Sequence, residues 1–149
     1  MSAREILFRG KRISDNSWVY GGIYPTFHPN FPQGSEEIVL SERNNNCYAI
    51  CANGKDVYVY QETIGQYTGL TDENGKKIFE GDIVKYPIEQ GKYSETNIHE
   101  VVFEMRGGSG YFGIKMSDVE TWGFCPEVPS KLMTVFGNIH DNPELLEVE

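Results

Sequence analysis

Hydrophobic and polar residues alternate along most of this chain in short runs, and alternation with a period of two is the pattern of half-buried β-strands. The first two runs read REILFRGKRI and SWVYGGIY, and the polar turn between them contains Asp15 and Asn16. Two such runs joined by a polar turn predict a β-hairpin. The pair Gly21-Gly22 in the second run predicts a bulge or a close crossing of two backbones.

Further runs of β-forming residues continue the pattern along the chain. Asn53-Gly54 predicts a tight hairpin turn, because both residues tolerate a positive φ, and the glycines of RGGSG predict another. Strands are therefore predicted at residues 37–40, 47–51, 56–63, 99–105, 111–116 and 133–139, with a strand pair or one bent strand at 77–86.

Three segments depart from the strand pattern. Residues 25–37 contain three prolines, which cannot donate ladder hydrogen bonds, and they predict a loop whose Phe27, His28 and Phe31 either pack on the sheet or reach a partner. Ser117 predicts a cap for a short helix in SDVETWGF. Asn142, followed by Pro143 and Glu144, predicts a helical turn near the end of the chain.

These elements predict a mainly β protein with short helical turns only. Residues 1–64 form an N-terminal β-hairpin and meander region, and residues 65–149 form a second region of short strands at small-barrel spacing. A change in charge places the linker near Thr63–Gln66. Residues 1–64 carry six Lys/Arg against seven Asp/Glu, whereas residues 65–149 carry seven against fifteen.

The charge of the chain, −9 at pH 7, argues against a nucleic-acid partner, because the acidic second region repels a phosphate backbone. The basic segment Arg9–Arg12 is interpreted as a solvated hairpin strand. An alternative remains in which Arg9, Lys11, Arg12, Trp18 and Tyr20 form a basic groove with aromatics that binds single strands. A second alternative is that the acidic region imitates DNA and inhibits a host enzyme.

The three cysteines and three histidines do not form a metal or disulfide motif. An odd cysteine count without a secretory signal argues against a disulfide framework, and Cys47, Cys51 and Cys125 are interpreted as buried small side chains. The scattered histidines leave zinc without ligands at suitable spacing, so no metal and no cofactor are predicted. No apolar run is long enough to span a bilayer, and the expected location is the cytoplasm.

The stretch GQYTGLTDENGKKIFEGDIVK, residues 65–85, is glycine-rich but does not match a phosphate-binding motif. No Ser or Thr follows the lysine after Gly75, and no G-x-G-x-x-G pattern occurs. Residues 72–75 predict a tight turn, and Gly81-Asp82 predicts a second bend in which Asp82 hydrogen-bonds the backbone. No G-x-S-x-G elbow occurs either, so no catalytic residue and no enzyme activity are predicted.

Three blocks of the sequence resemble the YopX-like family of bacteriophage and prophage proteins. They are REILFRGKR with WVYG, then GQYTGLTDENGKKIFEGDIVKY, and finally VFGNIHDNPELL. The resemblance implies a small phage-encoded protein of a bacterial host cell, with an SH3-like barrel in its second half and assembly into a homo-oligomer. It implies no catalytic residues.

The resulting hypothesis is a non-enzymatic accessory protein that acts through protein contacts, with copies of itself and with an unidentified host or phage protein. Gln66, Tyr67 and Thr68 are candidate interaction residues, because they are polar groups at the junction of the two regions. Tyr58 and Tyr60 are two further candidates. They share the face of DVYVY that is opposite the valines, and a neighbouring chain could cover it.

Overall fold

The computed structural model describes residues 5–26, 47–86 and 97–146. These residues are mainly β, which confirms the predicted fold class. They contain eleven strands, joined by turns and three short 3-10 helices. The chain divides into two compact units, residues 1–66 and 67–149.

The first unit is an antiparallel meander. Its strands are β1 (Phe8–Lys11), β2 (Trp18–Thr26), β3 (Cys47–Ala52) and β4 (Lys55–Val59), followed by a 3-10 helix at Gln61–Thr63 and the start of β5 (Gly65–Thr71). Each strand of the meander pairs with the next, and Gly65 and Gln66 of β5 pair with β1. After β4 the chain returns to β1, where the Tyr60 N–H donates a hydrogen bond to the Lys11 carbonyl oxygen at 3.0 Å.

A close backbone contact joins β2 to β3 and confirms the prediction for Gly21-Gly22. A Cβ added at Gly21 would lie 1.9 Å from the carbonyl oxygen of Cys51, whereas one added at Gly22 would meet nothing within 4 Å. The predicted hairpin turn at Asn53-Gly54 is also present, with φ of 53° and 76°. Two successive positive φ angles are the signature of a type I′ hairpin turn.

The second unit contains the rest of β5 and a five-stranded antiparallel sheet in the order β10-β9-β8-β7-β11. Its strands are β6 (Lys77–Phe79), β7 (Asp82–Lys85), β8 (Ile98–Arg106), β9 (Ser109–Ser117), β10 (Glu120–Gly123) and β11 (Thr134–Asn138), with 3-10 helices at Ser130–Leu132 and Pro143–Leu146. Among the described residues, β10 and β11 are the two edge strands of this sheet and do not pair with each other, so a closed barrel is not shown.

One face of this sheet packs into a hydrophobic core. Val84, Val101 and Ile114, which occupy neighbouring strands, are fully buried there together with Met133. The opposite face is covered in part by the C-terminal 3-10 helix. A Cβ added at Gly137 would lie 3.1 Å from Leu145 Cδ1, and Gly137 pairs with Ile83, which in turn pairs with Glu100.

Several sequence-based predictions were wrong at element ends. The predicted helix in SDVETWGF is absent: Ser117 ends strand β9, and Glu120–Gly123 form strand β10, in which Trp122 pairs with Ile114 and packs against the core. The strand predicted at 56–63 ends at Val59, and a 3-10 helix follows it. Strand β2 extends through Pro25 and Thr26, which pair with β3 on one side and have no β1 residue opposite them on the other, an edge position that proline tolerates. The rest of the predicted 25–37 loop, and the strand at 37–40, lie outside the described residues.

Candidate functional site

The five candidate residues predicted from the sequence occupy different units. Tyr58, Tyr60 and Gln66 belong to the first unit and are half-buried. The Tyr60 hydroxyl donates to Ile13 O at 3.4 Å, and Gln66 pairs with Phe8 in the sheet.

Tyr67 and Thr68 belong to the second unit and are only 6% and 9% exposed. The Tyr67 ring stacks at 5.6 Å from Phe79, and the Thr68 hydroxyl donates to Ile78 O at 2.8 Å. Both side chains therefore support the fold, and their role in partner binding stays a prediction.

A cluster of cations and aromatic rings lies on one face of the β1–β2 hairpin. Arg9 pairs with Tyr20 and Lys11 pairs with Trp18, so all four side chains project from the same face. The Arg9 guanidinium lies 4.7 Å and the Lys11 ammonium 5.5 Å from the Trp18 ring centroid. These are cation–π distances. Arg9 is 6% exposed, whereas Tyr20 is 47% exposed. Arg12 follows the end of β1 and is not part of this face.

An apolar patch lies at the tip of the β8–β9 hairpin. Val101, Phe103 and Met105 share one face of β8, and their exposed fractions rise from 0% to 45% and 64% towards the turn. The Phe103 ring lies 5.1 Å from Phe112 in an edge-on arrangement. A Cβ added at Gly110 would meet Phe103 Cζ at 2.4 Å and Met105 Sδ at 2.9 Å, so these two side chains lie across the glycine.

The turn at the end of this hairpin fixes the position of the apolar patch. Arg106 pairs with Ser109, which leaves Gly107 and Gly108 as a two-residue loop with φ of 58° and 83°. A two-residue type I′ turn twists the two strands in the sense that the sheet requires, so the hairpin continues the sheet beyond the core. The apolar side chains at its tip are thus held by regular backbone pairing.

Two buried aspartates in the glycine-rich stretch bond to backbone rather than to each other. Asp72 accepts hydrogen bonds from three backbone N–H groups, of Asn74, Lys76 and Val135, each at 2.9 Å. Asp82 accepts one from Phe79 N–H at 2.8 Å, as the sequence predicted for this bend. These carboxylates close turns, as buried acceptors of backbone donors generally do.

His99 is a buried histidine whose tautomer follows from its hydrogen bond. It is 2% exposed, and its Nδ1 lies 3.2 Å from the carbonyl oxygen of Lys115. Because a carbonyl only accepts, Nδ1 carries the proton and Nε2 is left as an acceptor. Burial lowers the pKa of His99 and outweighs the opposing effect of this hydrogen bond. The imidazole is therefore neutral at pH 7.

A cavity of about 220 Å³ lies beside His99, between strands β8 and β9 and the C-terminal 3-10 helix. Its charged side chains are Glu100, Lys115 and Asp118. Burial raises the pKa of Glu100, and nearby Glu80 raises it further while Lys115 opposes both. Sequence reasoning missed this cavity. Alternation placed Glu100 and Lys115 on strands but could not supply the register that brings them together.

Two structural absences concern the described residues alone. In residues 5–26, 47–86 and 97–146, no group of three or more His, Cys, Asp or Glu side chains is arranged to hold a metal ion. Within the same ranges, no helix is long and apolar enough to cross a membrane.

Comparison with known proteins assigns the chain to a family. The family model described as YopX protein matches residues 7–147. The chain belongs to the YopX family. This match confirms the resemblance found in the sequence blocks. Members of the family occur in bacteriophages and prophages.

A solved structure also resembles this YopX-family chain along nearly its whole length. The crystal structure of protein EF1440 from Enterococcus faecalis covers 97% of this chain and 99% of its own, with 25% sequence identity and a TM-score of 0.53. This likeness supports the β fold. The curated proteins contain no match to the chain.

Proposed function

We propose that this YopX-family chain is a non-enzymatic phage or prophage accessory protein that acts through protein contacts, as a homo-oligomer. The observation that supports the proposal is the apolar patch of Phe103, Met105 and Phe112 at the tip of the β8–β9 hairpin. Phe103 and Met105 are 45% and 64% exposed, although they lie on the same face of β8 as the buried Val101.

Exposed apolar side chains on regular backbone are costly unless another surface covers them. Burying one side chain of this size fully is worth about 1.5–3 kcal/mol. Covering the exposed parts of Phe103 and Met105 from two copies would therefore contribute several kcal/mol to association. Phenylalanine and methionine are also residue types that are enriched at protein interfaces.

Light scattering coupled to size-exclusion chromatography tests the proposal. We expect the protein to elute as an oligomer and the double variant Phe103→Ser with Met105→Ser to elute as a smaller species. Val119→Ser is the matched control, because Val119 is 85% exposed at the β9–β10 turn and lies outside the patch. A strictly monomeric protein, or a double variant that associates like the control, would refute the proposal.

A second candidate function, binding of single-stranded nucleic acid, is supported by the cation–aromatic face of the β1–β2 hairpin. Arg9, Lys11, Trp18 and Tyr20 combine positive charge with stackable rings, as single-strand binders do. Against it, Arg9 is 6% exposed and the chain carries a net charge of −9. A gel-shift assay at low salt should detect binding that Lys11→Glu abolishes. An unshifted oligonucleotide at micromolar protein excludes this function.

A further inference from the structure

The cavity beside the C-terminal 3-10 helix has a mixed polar and apolar lining that includes the half-buried Glu100. Ile98 and Glu100 alternate with His99 on β8, and Lys115 and Ser117 alternate with Met116 on β9. Leu146 of the C-terminal 3-10 helix forms a wall. The volume of about 220 Å³ is below the range of about 300–1,000 Å³ that drug-sized ligands occupy. A small molecule or a single side chain would fill it.

The sheet register explains why a space remains there. The β8–β9 ladder runs from Arg106↔Ser109 to Val101↔Ile114. Beyond that point the His99 imidazole bonds to the Lys115 carbonyl. The C-terminal 3-10 helix covers the sheet face opposite the core at Gly137 of β11. Gly137 pairs with Ile83 of β7, and Ile83 pairs with Glu100 of β8, so the three residues form one row across this face. In this row Ile83 is fully buried, whereas Glu100, the next position, is half-buried and lines the cavity.

The charges of the lining favour a cation. Glu100 is half-buried, and its carboxylate is attracted by the Lys115 ammonium and repelled by the Glu80 carboxylate. The Lys115 ammonium is shared with Asp118, at 3.9 Å. Two carboxylates against one ammonium give the lining a formal charge of −1. This net negative charge disfavours the binding of an anionic ligand.

The hydrogen-bonding groups of the lining favour a donor. Nε2 of His99 has no hydrogen-bond partner among the described residues, but the imidazole shares the core face of β8 with Val101 and lies across from Val84, so Nε2 does not open on the cavity. The Glu100 carboxylate lies on the opposite face of β8 and is an acceptor that the cavity presents. A ligand that carries N–H donors matches this carboxylate. Because no group of three or more metal ligands occurs in the described ranges, an organic cation fits better than a metal ion.

We propose that this cavity binds a primary alkylammonium group, with the ammonium on Glu100 and the alkyl chain against Leu146. A free amine and a lysine side chain of another polypeptide share this chemistry. The site lies apart from the apolar hairpin tip, so the inference goes beyond the proposed function and does not depend on it.

Titration by amide NMR tests the inference with three probes of equal chain length: butylammonium, 1-butanol and butyrate. We expect butylammonium alone to shift the amide signals of Lys115, Ser117 and Asp118 with saturation. Glu100→Gln should weaken this binding at least tenfold. Glu104→Gln is the matched control, because Glu104 lies on the same strand and sheet face, is also half-buried, and does not line the cavity.

Leu146→Ala is a second variant, chosen because Leu146 is 40% exposed and its truncation leaves the core intact. Butylammonium should bind more tightly than methylammonium to the unaltered protein, and Leu146→Ala should remove that difference. Putrescine represents a free amine, and Nα-acetyl-lysine methylamide represents a lysine side chain of another polypeptide. The probe that binds more tightly identifies the source of the ammonium group.

Three outcomes would overturn the inference. One is the lack of any shift at about 10 mM butylammonium, which is ten times a millimolar Kd. Another is an equal response to 1-butanol, which would show that charge does not matter. The third is unchanged affinity in Glu100→Gln, which would place the ammonium elsewhere.

Discussion

Asp72 joins the tight turn at residues 72–75 to strand β11, and its substitution tests the view that this stretch is scaffold. Its Oδ1 accepts from the N–H groups of Asn74 and Lys76, and its Oδ2 accepts from the N–H of Val135. The side chain is 1% exposed. Asp72→Asn keeps the shape and replaces one oxygen with an NH₂ group. Whichever way the amide is oriented, a donor then faces a backbone donor.

The cost follows from the bonds that are lost. A hydrogen bond to a charged acceptor contributes about 1.5–3 kcal/mol, and a buried donor left unsatisfied costs about 1–3 kcal/mol. If the amide NH₂ faces β11, the Val135 N–H loses its acceptor, and the two bonds in the turn become neutral and weaker. We therefore expect Asp72→Asn to lower the free energy of unfolding by about 3 kcal/mol. Domains of this size are stable by only about 5–15 kcal/mol.

The pH dependence gives a second readout for Asp72. Burial alone would raise the pKa of Asp72, but the three backbone N–H groups outweigh it and hold the pKa below its ordinary 3.8. A carboxylate with a depressed pKa in the fold contributes stability above its unfolded pKa. That contribution is lost as the pH falls through the lower folded value. Asparagine does not titrate, so the difference between the two proteins should shrink as the pH falls below about 4.

Urea unfolding at pH 6 and at pH 3 measures both effects. Asp118→Asn is the control, because Asp118 is fully exposed and its ion pair with Lys115 spans 3.9 Å. An exposed ion pair of this kind contributes little to stability, because solvent screens it. The argument fails if Asp72→Asn costs no more than this control at pH 6, or if its cost is the same at pH 3.

Two further predictions test the fold. Gly21→Ala should lower the free energy of unfolding by more than about 3 kcal/mol or abolish folding, because the new Cβ would lie 1.9 Å from the Cys51 carbonyl oxygen. Gly22→Ala is the control, because a Cβ at that position meets nothing within 4 Å and should be tolerated. Thermal melts of the two variants measure the difference. The folded pKa of His99 is depressed by burial, so its contribution to stability is complete above about pH 6.5 and falls as the pH drops below that value. His99→Gln should remove this loss between pH 7 and 5, and an unchanged pH profile would contradict the assignment of a neutral buried imidazole.

The parts of the fold that the sequence predicted correctly depend on local chemistry. Asn53-Gly54 and the glycines of the β8–β9 turn require positive φ, so their positions follow from residue type alone. The bend at Gly81-Asp82 was likewise predictable, because a short carboxylate next to a glycine closes a turn on its own backbone. The error at SDVETWGF has the opposite cause. Trp122 lies in a strand because it pairs with Ile114 of β9, and this pairing depends on the assembly of the whole sheet rather than on the local sequence.

The apolar patch and the cavity could not be predicted from alternation. Phe103 and Met105 follow the same pattern as the buried Val101, and only the length of the hairpin beyond the core exposes them. The cavity requires Glu100, Lys115 and Leu146, which come from three elements whose contacts depend on sheet register. Register is set by pairing across the whole sheet, so a single sequence does not reveal such a site.

The stretch that identifies the family is therefore not where binding is best sought. Within residues 65–85, the polar side chains of Thr68, Asp72 and Asp82 all bond to backbone groups of the same unit. A side chain whose hydrogen-bonding groups are already paired inside the fold has little to offer a ligand, and removing it damages the fold first. Function is better tested where polar or apolar groups remain uncovered, at the Phe103 hairpin tip and at Glu100. Substitutions there should alter association or ligand binding while leaving the unfolding free energy of the single subunit nearly unchanged.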